Sequence, residues 1–447
     1  MRWCLNFAYL LLLVLLSPVV VWRMLRHGRY RRGLREKLLG TGPPFLPTQS
    51  VSGLTKPTVW FHAVSVGEVV QLEKVVAGFT QQTCGRFQIV VTTSTDTGYD
   101  LALKRFGEHT VTWFPLDFSW SVNAALERIR PVMLVLMELE IWPNLIRQCH
   151  QSAIPVVVVN ARMSDRSVRG YRRIRRWIAP VISRISRIAA QSNEYAERLI
   201  ELGASRESTT VTGSIKFDGV AMDRGQLKTM QLRQMFGLAD TEIVFMAGST
   251  QDPEEALALD VWTALRNQWP ELRLILVPRH RERFEAVASL VQSRDIPLLR
   301  RSQCDASESQ SLLNIKAARP VILLDTIGEL GACWGLADLA FVGGSFGNRG
   351  GQNMIEPAAY GAVILFGPNT SNFRDVVAAF RKAQACIEVS EPAQLQPTIE
   401  RLLQDAKKRS ELGRRAQDVV QQQQGATRRT VDLLVEMVDH NLSETTT

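Results

Sequence analysis

ADLAFVGGSFGNRGGQNMIEPAAYGAVILFGP, residues 337–368, reads as strand, glycine-rich loop, helix and strand. Asp338–Val342 is a short apolar run of strand type, and Gly343-Gly344-Ser345 ends it. Gly347–Gly351 holds too much glycine for regular structure. Asn353 stands at a helix-cap position ahead of Met354–Tyr360, and Gly361 closes that helix before Val363–Phe366. Free backbone N–H groups at such a helix start, beside glycines that admit close approach, suit a phosphate. Glu356, one turn in, is placed to accept both hydroxyls of a ribose. An ordinary βαβ unit with an irregular loop carries the same pattern.

Outward from this stretch, strand and helix lengths alternate through the chain. Ile243–Ala247 leads to Gly248-Ser249-Thr250, Leu272–Val277 to Pro278-Arg279-His280, and Val321–Leu324 to Asp325-Thr326-Ile327-Gly328-Glu329. Earlier come VWFHA, QIVVTT, TVTWF, VMLVLME, PVVVVN, RIAAQ and TTVTG between Val59 and Gly213. Strands this apolar, separated by helical lengths, indicate parallel sheets covered on both faces, and ligands of such sheets sit beyond the C-terminal strand ends. Four of those ends in the first half are polar: Ser65-Val66-Gly67-Glu68, Thr92–Thr95, Glu138-Leu139-Glu140-Ile141-Trp142-Pro143-Asn144 and Asn160-Ala161-Arg162-Met163-Ser164. Each also has a purely structural reading. Glu68 suits a helix N-terminus, Glu138 could pair with a buried arginine, and His62 in its apolar strand reads as a core histidine. Two cores with polar strand ends imply a ligand cleft between two domains.

The chain has 447 residues, 45% of them hydrophobic, and a formal charge of +9, which points to an anionic partner. Its six cysteines form no C-x-x-C pair, so neither a zinc site nor a disulfide framework is expected. From Trp3 to Trp22 run 20 uncharged residues, about 30 Å of helix, and Arg23, Arg26, Arg29, Arg31, Arg32, Arg35 and Lys37 follow. This predicts a single-pass anchor over residues 3–22 with the bulk of the chain in the cytoplasm. A helix lying in the membrane interface is the other reading, because Pro18 and the marginal length allow it. Residues 23–57 read as a basic juxtamembrane segment and a linker marked by Pro43, Pro44, Pro47 and Pro57. Residues 58–218 form a first domain, 219–240 a helical crossover, 241–425 a second domain, and 426–447 a tail. Between Arg162 and Arg187 nine arginines face one acid, Asp165. Such a bias suits an anionic membrane surface or a phosphorylated substrate on it. No zinc-finger, RRM or basic-zipper signature accompanies it, so nucleic acid is not the expected partner.

These residues carry a resemblance. WFHAVSVGE, ELEIWPNLI, NARMSDRS, QSNEYAERLIELGA, VTGSIKFD, AGSTQDPEE, LILVPRHRERF, DTIGEL, ADLAFVGGS, GGQN and LFGPNTSNF occur in the order found in Kdo transferases, over roughly residues 58–375. That family comprises membrane-anchored GT-B glycosyltransferases that move 3-deoxy-D-manno-octulosonic acid (Kdo) from CMP-Kdo to the lipid A precursor, lipid IVA, in lipopolysaccharide biosynthesis. The resemblance implies two Rossmann-like domains with parallel sheets facing across a cleft, an N-terminal anchor helix, and a site on the cytoplasmic face of the inner membrane. It implies Glu68 as general base for an inverting displacement, with Glu138, Arg162 and Lys216 near the acceptor or the cleft. It places CMP against Ser249, Thr250, Pro278, Arg279, Ile327, Gly328, Glu329, Asn353 and Glu356. No cofactor or metal is implied, and no D-x-D-type pair is present.

The chain departs from the family at Gln251 and Gln352, where histidine is usual, at Leu139 for threonine and at Arg281 for proline. Glutamine keeps the hydrogen-bonding reach but holds no proton near pH 7. Two other readings stand beside this one. One is a GT-B enzyme acting on a uridine diphosphate donor. The other is an inactive membrane-anchored scaffold, against which the joint retention of Glu68, Arg279 and Glu356 argues.

Overall fold

The computed structural model describes residues 2–27, 32–42, 55–304 and 318–445. Two compact units emerge, Met1–Asp218 with Gln424–Thr447, and Gly219–Gln423. Arg29, Arg31, Pro43, Pro44 and Pro47 lie outside the described residues.

The first unit holds β1 (Thr58–His62), β2 (Gln88–Thr93), β3 (Thr110–Trp113), β4 (Pro131–Met137), β5 (Val156–Ala161), β6 (Arg187–Ala190) and β7 (Thr209–Val211). They make one parallel sheet in the order β3-β2-β1-β4-β5-β6-β7. The alternation of a strand places Val59 and Phe61 in the core on one face and Trp60 in the core on the other. Both faces are covered, which is why these strands read as unbroken apolar runs. Val69, Leu72, Val76 and Phe79 form the buried stripe of helix Val66–Gln82 on one face.

Residues 426–447 are more than a tail. Ala426–Thr445 is a helix in the first unit, and Ala426, Val431, Leu434 and Val438 enter the same core as helix Val66–Gln82. The Asp218 carboxylate accepts from the N–H of Gly425 (2.7 Å) and from that of Thr427, so the aspartate of the Lys-Phe-Asp motif caps this last helix.

The second unit holds β8 (Ile243–Thr250), β9 (Leu272–Pro278), β10 (Leu298–Arg300), β11 (Val321–Leu323), β12 (Leu339–Val342), β13 (Val363–Phe366) and β14 (Cys386–Glu388). They form a second parallel sheet in the order β10-β11-β9-β8-β12-β13-β14. Of residues 219–240 only Leu227–Phe236 is α-helical, and it packs within the second unit. In the opening stretch the helix is shorter than its sequence pattern, Ile355–Ala359, and Gly361 at φ 73° closes it.

The segment expected as an anchor, residues 3–22, lies within one helix, Arg2–His27. Among the described residues no helix is long and apolar enough to cross a membrane. Two polar side chains near the start of this helix join the first unit. Asn6 is buried; its amide donates to Ser119 Oγ at 2.7 Å and accepts from Ser119 N and from the Asn144 amide, both at 3.2 Å. Tyr9 donates its hydroxyl to Asp117 Oδ2 at 3.0 Å. These bonds hold the first turns against the first unit. Leu10 to Leu16 are nevertheless exposed, as are Val19, Val21 and Trp22.

At the opposite end of the second sheet from its functional loops, Arg273 Nη1 donates to both oxygens of Glu242 at 3.0 Å, and both side chains are buried. Removing one partner strands the other charge in the core. Glu242→Ala is expected to destabilise the second unit by about 3–5 kcal/mol, and the Glu242→Ala/Arg273→Met pair to recover most of that loss. Urea unfolding followed on a probe within this unit measures both.

Candidate active site

In the first sheet the chain runs outward from β1 to β3 and then returns to place β4 beside β1. Connections on either side of such a reversal leave on opposite faces of the sheet and open a crevice at the strand ends. The loop after β1 brings Glu68 there, and the loop after β4 brings Glu138 and Glu140. Glu68 sits in the first turn of helix Val66–Gln82, whose N-cap is Ser65. Its Oε2 accepts from Val64 N and its Oε1 from Ser65 Oγ, both at 2.8 Å, while its own N–H reaches Ser65 Oγ at 3.4 Å. This resembles a capping box, except that the carboxylate takes the N–H of Val64, one residue before the N-cap. Burial raises the Glu68 pKa above the ordinary carboxylate value, the Val64 and Ser65 hydrogen bonds oppose the rise, and Glu138 adds to it.

Glu138 has a left-handed backbone, φ 54°, at the end of β4. Its Oε2 accepts at 2.8 Å from Nε of Arg162, from the end of β5; the arginine side chain is 41% exposed, where a buried one was expected. Glu140 is the residue that reading the sequence for site residues passed over. Burial pushes its carboxyl up to about 7, and the charges of Glu68 and Glu138 add to the effect. Among the described residues no group of three or more His, Cys, Asp or Glu side chains is arranged to hold a metal ion.

Beside these carboxylates an amide network fixes the neighbouring strand ends. Asn160, buried at φ 54°, donates to Gln71 Oε1 at 2.7 Å, and its Oδ1 accepts from Ile215 N at 3.2 Å. Gln191 Nε2 donates to Asn160 O at 2.9 Å. Lys216 follows directly in the turn Ile215–Phe217, half-buried. His62 is the core histidine the apolar strand suggested. It is fully buried, stacks on Phe114 with ring centroids 3.6 Å apart, and burial drives its pKa down to about 3.

In the second sheet the reversal falls between β8 and β12. Ser249 is buried with φ 55°. Thr250 does not turn its hydroxyl to a ligand. It is fully buried and donates to Glu255 Oε1 (3.1 Å) and Val277 O (3.3 Å), which leaves its backbone at the strand end. Pro278 closes β9, and Arg279 is exposed with its N–H on Thr250 O at 3.0 Å. Glu329 is held by Arg301 at 2.8 Å and by the Thr326 hydroxyl, which leaves Ile327 76% exposed and Gly328 open at φ 91°. Asn353 caps by its side chain: Oδ1 accepts from Ile355 N at 3.1 Å, and Nδ2 donates to Glu356 Oε1 at 2.9 Å. The glycine loop departs from the phosphate cradle the sequence suggested. The N–H groups of Gly344, Ser345 and Phe346 already meet an internal carboxylate, that of Glu254.

Glu140 yields a test of the first crevice. Its raised pKa means that stability tied to the neutral carboxyl is present below the ordinary value of 4.5 and is lost as the pH rises through about 7. Carbon-13 NMR of labelled glutamate is expected to show one carboxyl titrating near 7 and absent in Glu140→Gln. Glu68→Gln removes a neighbouring negative charge and should move that midpoint down; an unmoved midpoint would show that the two groups do not share a field.

The model of the 3-deoxy-D-manno-octulosonic-acid transferase (kdotransferase) family matches residues 30–219. Over 443 residues the chain is 33% identical to the 3-deoxy-D-manno-octulosonic acid transferase of Haemophilus influenzae, covering 98% of this chain and 100% of that one. The enzyme of the same name from Bordetella pertussis is 30% identical over 436 residues, 95% of this chain and 98% of its own. Among solved structures, MurG of Acinetobacter baumannii is 14% identical with a TM-score of 0.54 over 85% of this chain and 99% of that one, which speaks for the fold. With two parallel-sheet Rossmann-like units and an alignment running nearly end to end, the chain has the GT-B fold and belongs to the Kdo transferase family of glycosyltransferases.

Proposed function

We propose that this glycosyltransferase moves Kdo from CMP-Kdo to a hydroxyl of the lipid A precursor, lipid IVA, with inversion, and that Glu68 is the general base. Inversion follows from a single displacement: the acceptor oxygen bonds to the anomeric carbon as the bond to the CMP phosphate breaks. The hydroxyl proton passes to Glu68, and CMP leaves with the electron pair of the broken bond. The observation that carries this reading is the Glu68 carboxylate itself. It is buried, lies at the reversal point of the first sheet, and has a raised pKa, which makes it a stronger base than a solvated glutamate. Val64 N donates to one of its oxygens and Ser65 Oγ to the other, and a carboxylate oxygen has a second lone pair. Arg162 and Lys216 lie on neighbouring strand ends and suit anionic groups of the acceptor. In the second unit Arg279 offers an exposed cation to the single phosphate of CMP, and Glu356, steadied by Asn353, offers oxygens to the ribose hydroxyls.

The capping-box hydrogen bonds favour a structural role for the same glutamate, and one pair of measurements separates the two. Glu68→Gln keeps the size of the side chain and removes the base. Turnover is expected to fall by about 10²–10⁴-fold with CMP binding unchanged. A purely structural Glu68 predicts nearly parental turnover and a stability loss of about 0.3–1 kcal/mol. Melting temperature and rate on one sample decide it. Parental turnover in a stable Glu68→Gln enzyme would sink the catalytic assignment.

The acceptor is a lipid, and two surfaces of the first unit suit a bilayer. The N-terminal helix exposes Leu11, Val14 and Leu15, and Arg166, Arg169, Arg173 and Arg176 are exposed around Ile174 and Trp177. Apolar side chains interleaved with cations fit an anionic lipid surface, and we place the enzyme on the cytoplasmic face of the inner membrane. The full chain is expected to float with vesicles containing anionic phospholipid. Leu11→Asn/Leu15→Asn and Arg173→Glu/Arg176→Glu should each reduce the floated fraction, the second pair only where anionic lipid is present. Equal flotation of all variants would remove both surfaces from the proposal.

A further inference from the structure

Glu254 opens the helix Glu254–Leu265 that follows β8, and it is 2% exposed. Four backbone N–H groups converge on its carboxylate. Gln251 (2.9 Å) and Gly344 (2.7 Å) donate to Oε2, and Ser345 (3.0 Å) and Phe346 (3.2 Å) donate to Oε1. The donors come from two loops, one after β8 and one after β12, which flank the reversal point of the second sheet. Successive N–H groups pointing at one place form a nest of the kind that binds phosphate or another anion. Here the anion is part of the chain. Gly343 shows how closely the two loops meet: a Cβ there would lie 2.5 Å from Thr250 Cα and 2.7 Å from Glu254 Oε2. On its far side the loop is fastened by Ser345 Oγ, which donates to Val342 O and accepts from Gly367 N, both at 2.8 Å.

We propose that Glu254 is a positioning residue for the sugar-nucleotide donor: an internal anion that fills the nest and clamps the glycine-rich loop to the loop after β8. The proposal rests on the reading that the crevice of the second unit takes the nucleotide. With the nest filled, the donor's phosphate meets side chains such as Arg279 rather than these N–H groups, and the loop contributes shape. Loss of the carboxylate leaves four N–H groups facing one another without an acceptor, which frees the loop from its bound form. The effect falls on donor affinity, since the acceptor's carboxylates lie on the other unit's sheet.

The test uses the full-length enzyme, with CMP and UDP titrated calorimetrically and steady-state kinetics run on both substrates. Glu254→Ala is expected to weaken nucleotide binding and raise the donor KM by tenfold or more, with the acceptor KM unchanged. Sodium formate at tens of millimolar, with sodium chloride as the ionic-strength control, should restore at least a third of the lost affinity by refilling the nest. Glu254→Gln keeps the volume but offers one acceptor oxygen, so it should bind weakly and not respond to formate. Parental nucleotide affinity in Glu254→Ala overturns the proposal. So does a loss that formate leaves untouched, or one matched by unfolding of both variants at the assay temperature, because either makes Glu254 a stability residue only. If the parent enzyme binds UDP and not CMP, the CMP-Kdo reading fails, while formate dependence measured on UDP still decides the role of Glu254.

Discussion

A parallel strand buried on both faces can be followed only by a crossover, and a sheet built outward in two directions must reverse once. That constraint sets where everything else in this chain goes. β1 lies beside β4 and β8 beside β12, and the loops at those two places are the ones whose N–H and C=O groups have no ladder to join. The chain meets the need with side chains. Glu68 takes Val64 N, Asn160 takes Ile215 N, and Glu254 takes four N–H groups at once. Non-glycine residues with left-handed backbones stand at strand ends: Glu138 and Ser249 beside these loops, and Asn160 at the end of β5. Conformations of that kind cost energy and persist where the surroundings over-determine them.

Two groups of polar residues follow from this, and they have different duties. Glu254, Asn160, Thr250 and Asp218 are buried with their hydrogen bonds directed inward, so they fix the loops. Arg279, Ile327 and Gly328 are exposed at strand ends, and Glu356 and Lys216 are half-buried. The distinction corrects a plausible error. A glycine-rich loop ahead of a helix suggests a phosphate site, yet in its first part the N–H groups of Gly344, Ser345 and Phe346 are satisfied from within. The first turn of the following helix, only Ile355–Ala359, is capped by Asn353.

What the sequence made legible was local. Runs such as QIVVTT and VMLVLM identify themselves as strands because both faces are buried, and the polar residues following them mark the functional edge. β10 and β14, Leu298–Arg300 and Cys386–Glu388, went unread; they are the two edge strands of the second sheet. Glu254 escaped because its partners lie some 90 positions away. The contacts of the N-terminal helix were hidden for the same reason: Asn6 and Tyr9 find Ser119, Asp117 and Asn144 more than 100 positions downstream. No sliding window sees such a bond.

The electrostatics of the first crevice bear on why two glutamates in one place do not do the same thing. Arg162 pairs with one of the three carboxylates there, Glu138, and also acts on Glu68. Neighbouring negative charges cannot all be ionised at equal ease, so the proton goes to the group whose charged form is supported least. Glu68 has a backbone N–H and a hydroxyl aimed at its oxygens, and Arg162 acts in its favour. Glu140 is raised to about 7 by burial and by its two acidic neighbours. In the proposed mechanism Glu68, its pKa raised by burial, is the group that accepts the proton, and Glu140, raised to about 7, is the group beside it that holds one most readily. Burial is the first cause of the rise at both glutamates, and the negative charge of Glu68 adds to it at Glu140, so a change at one is felt at the other.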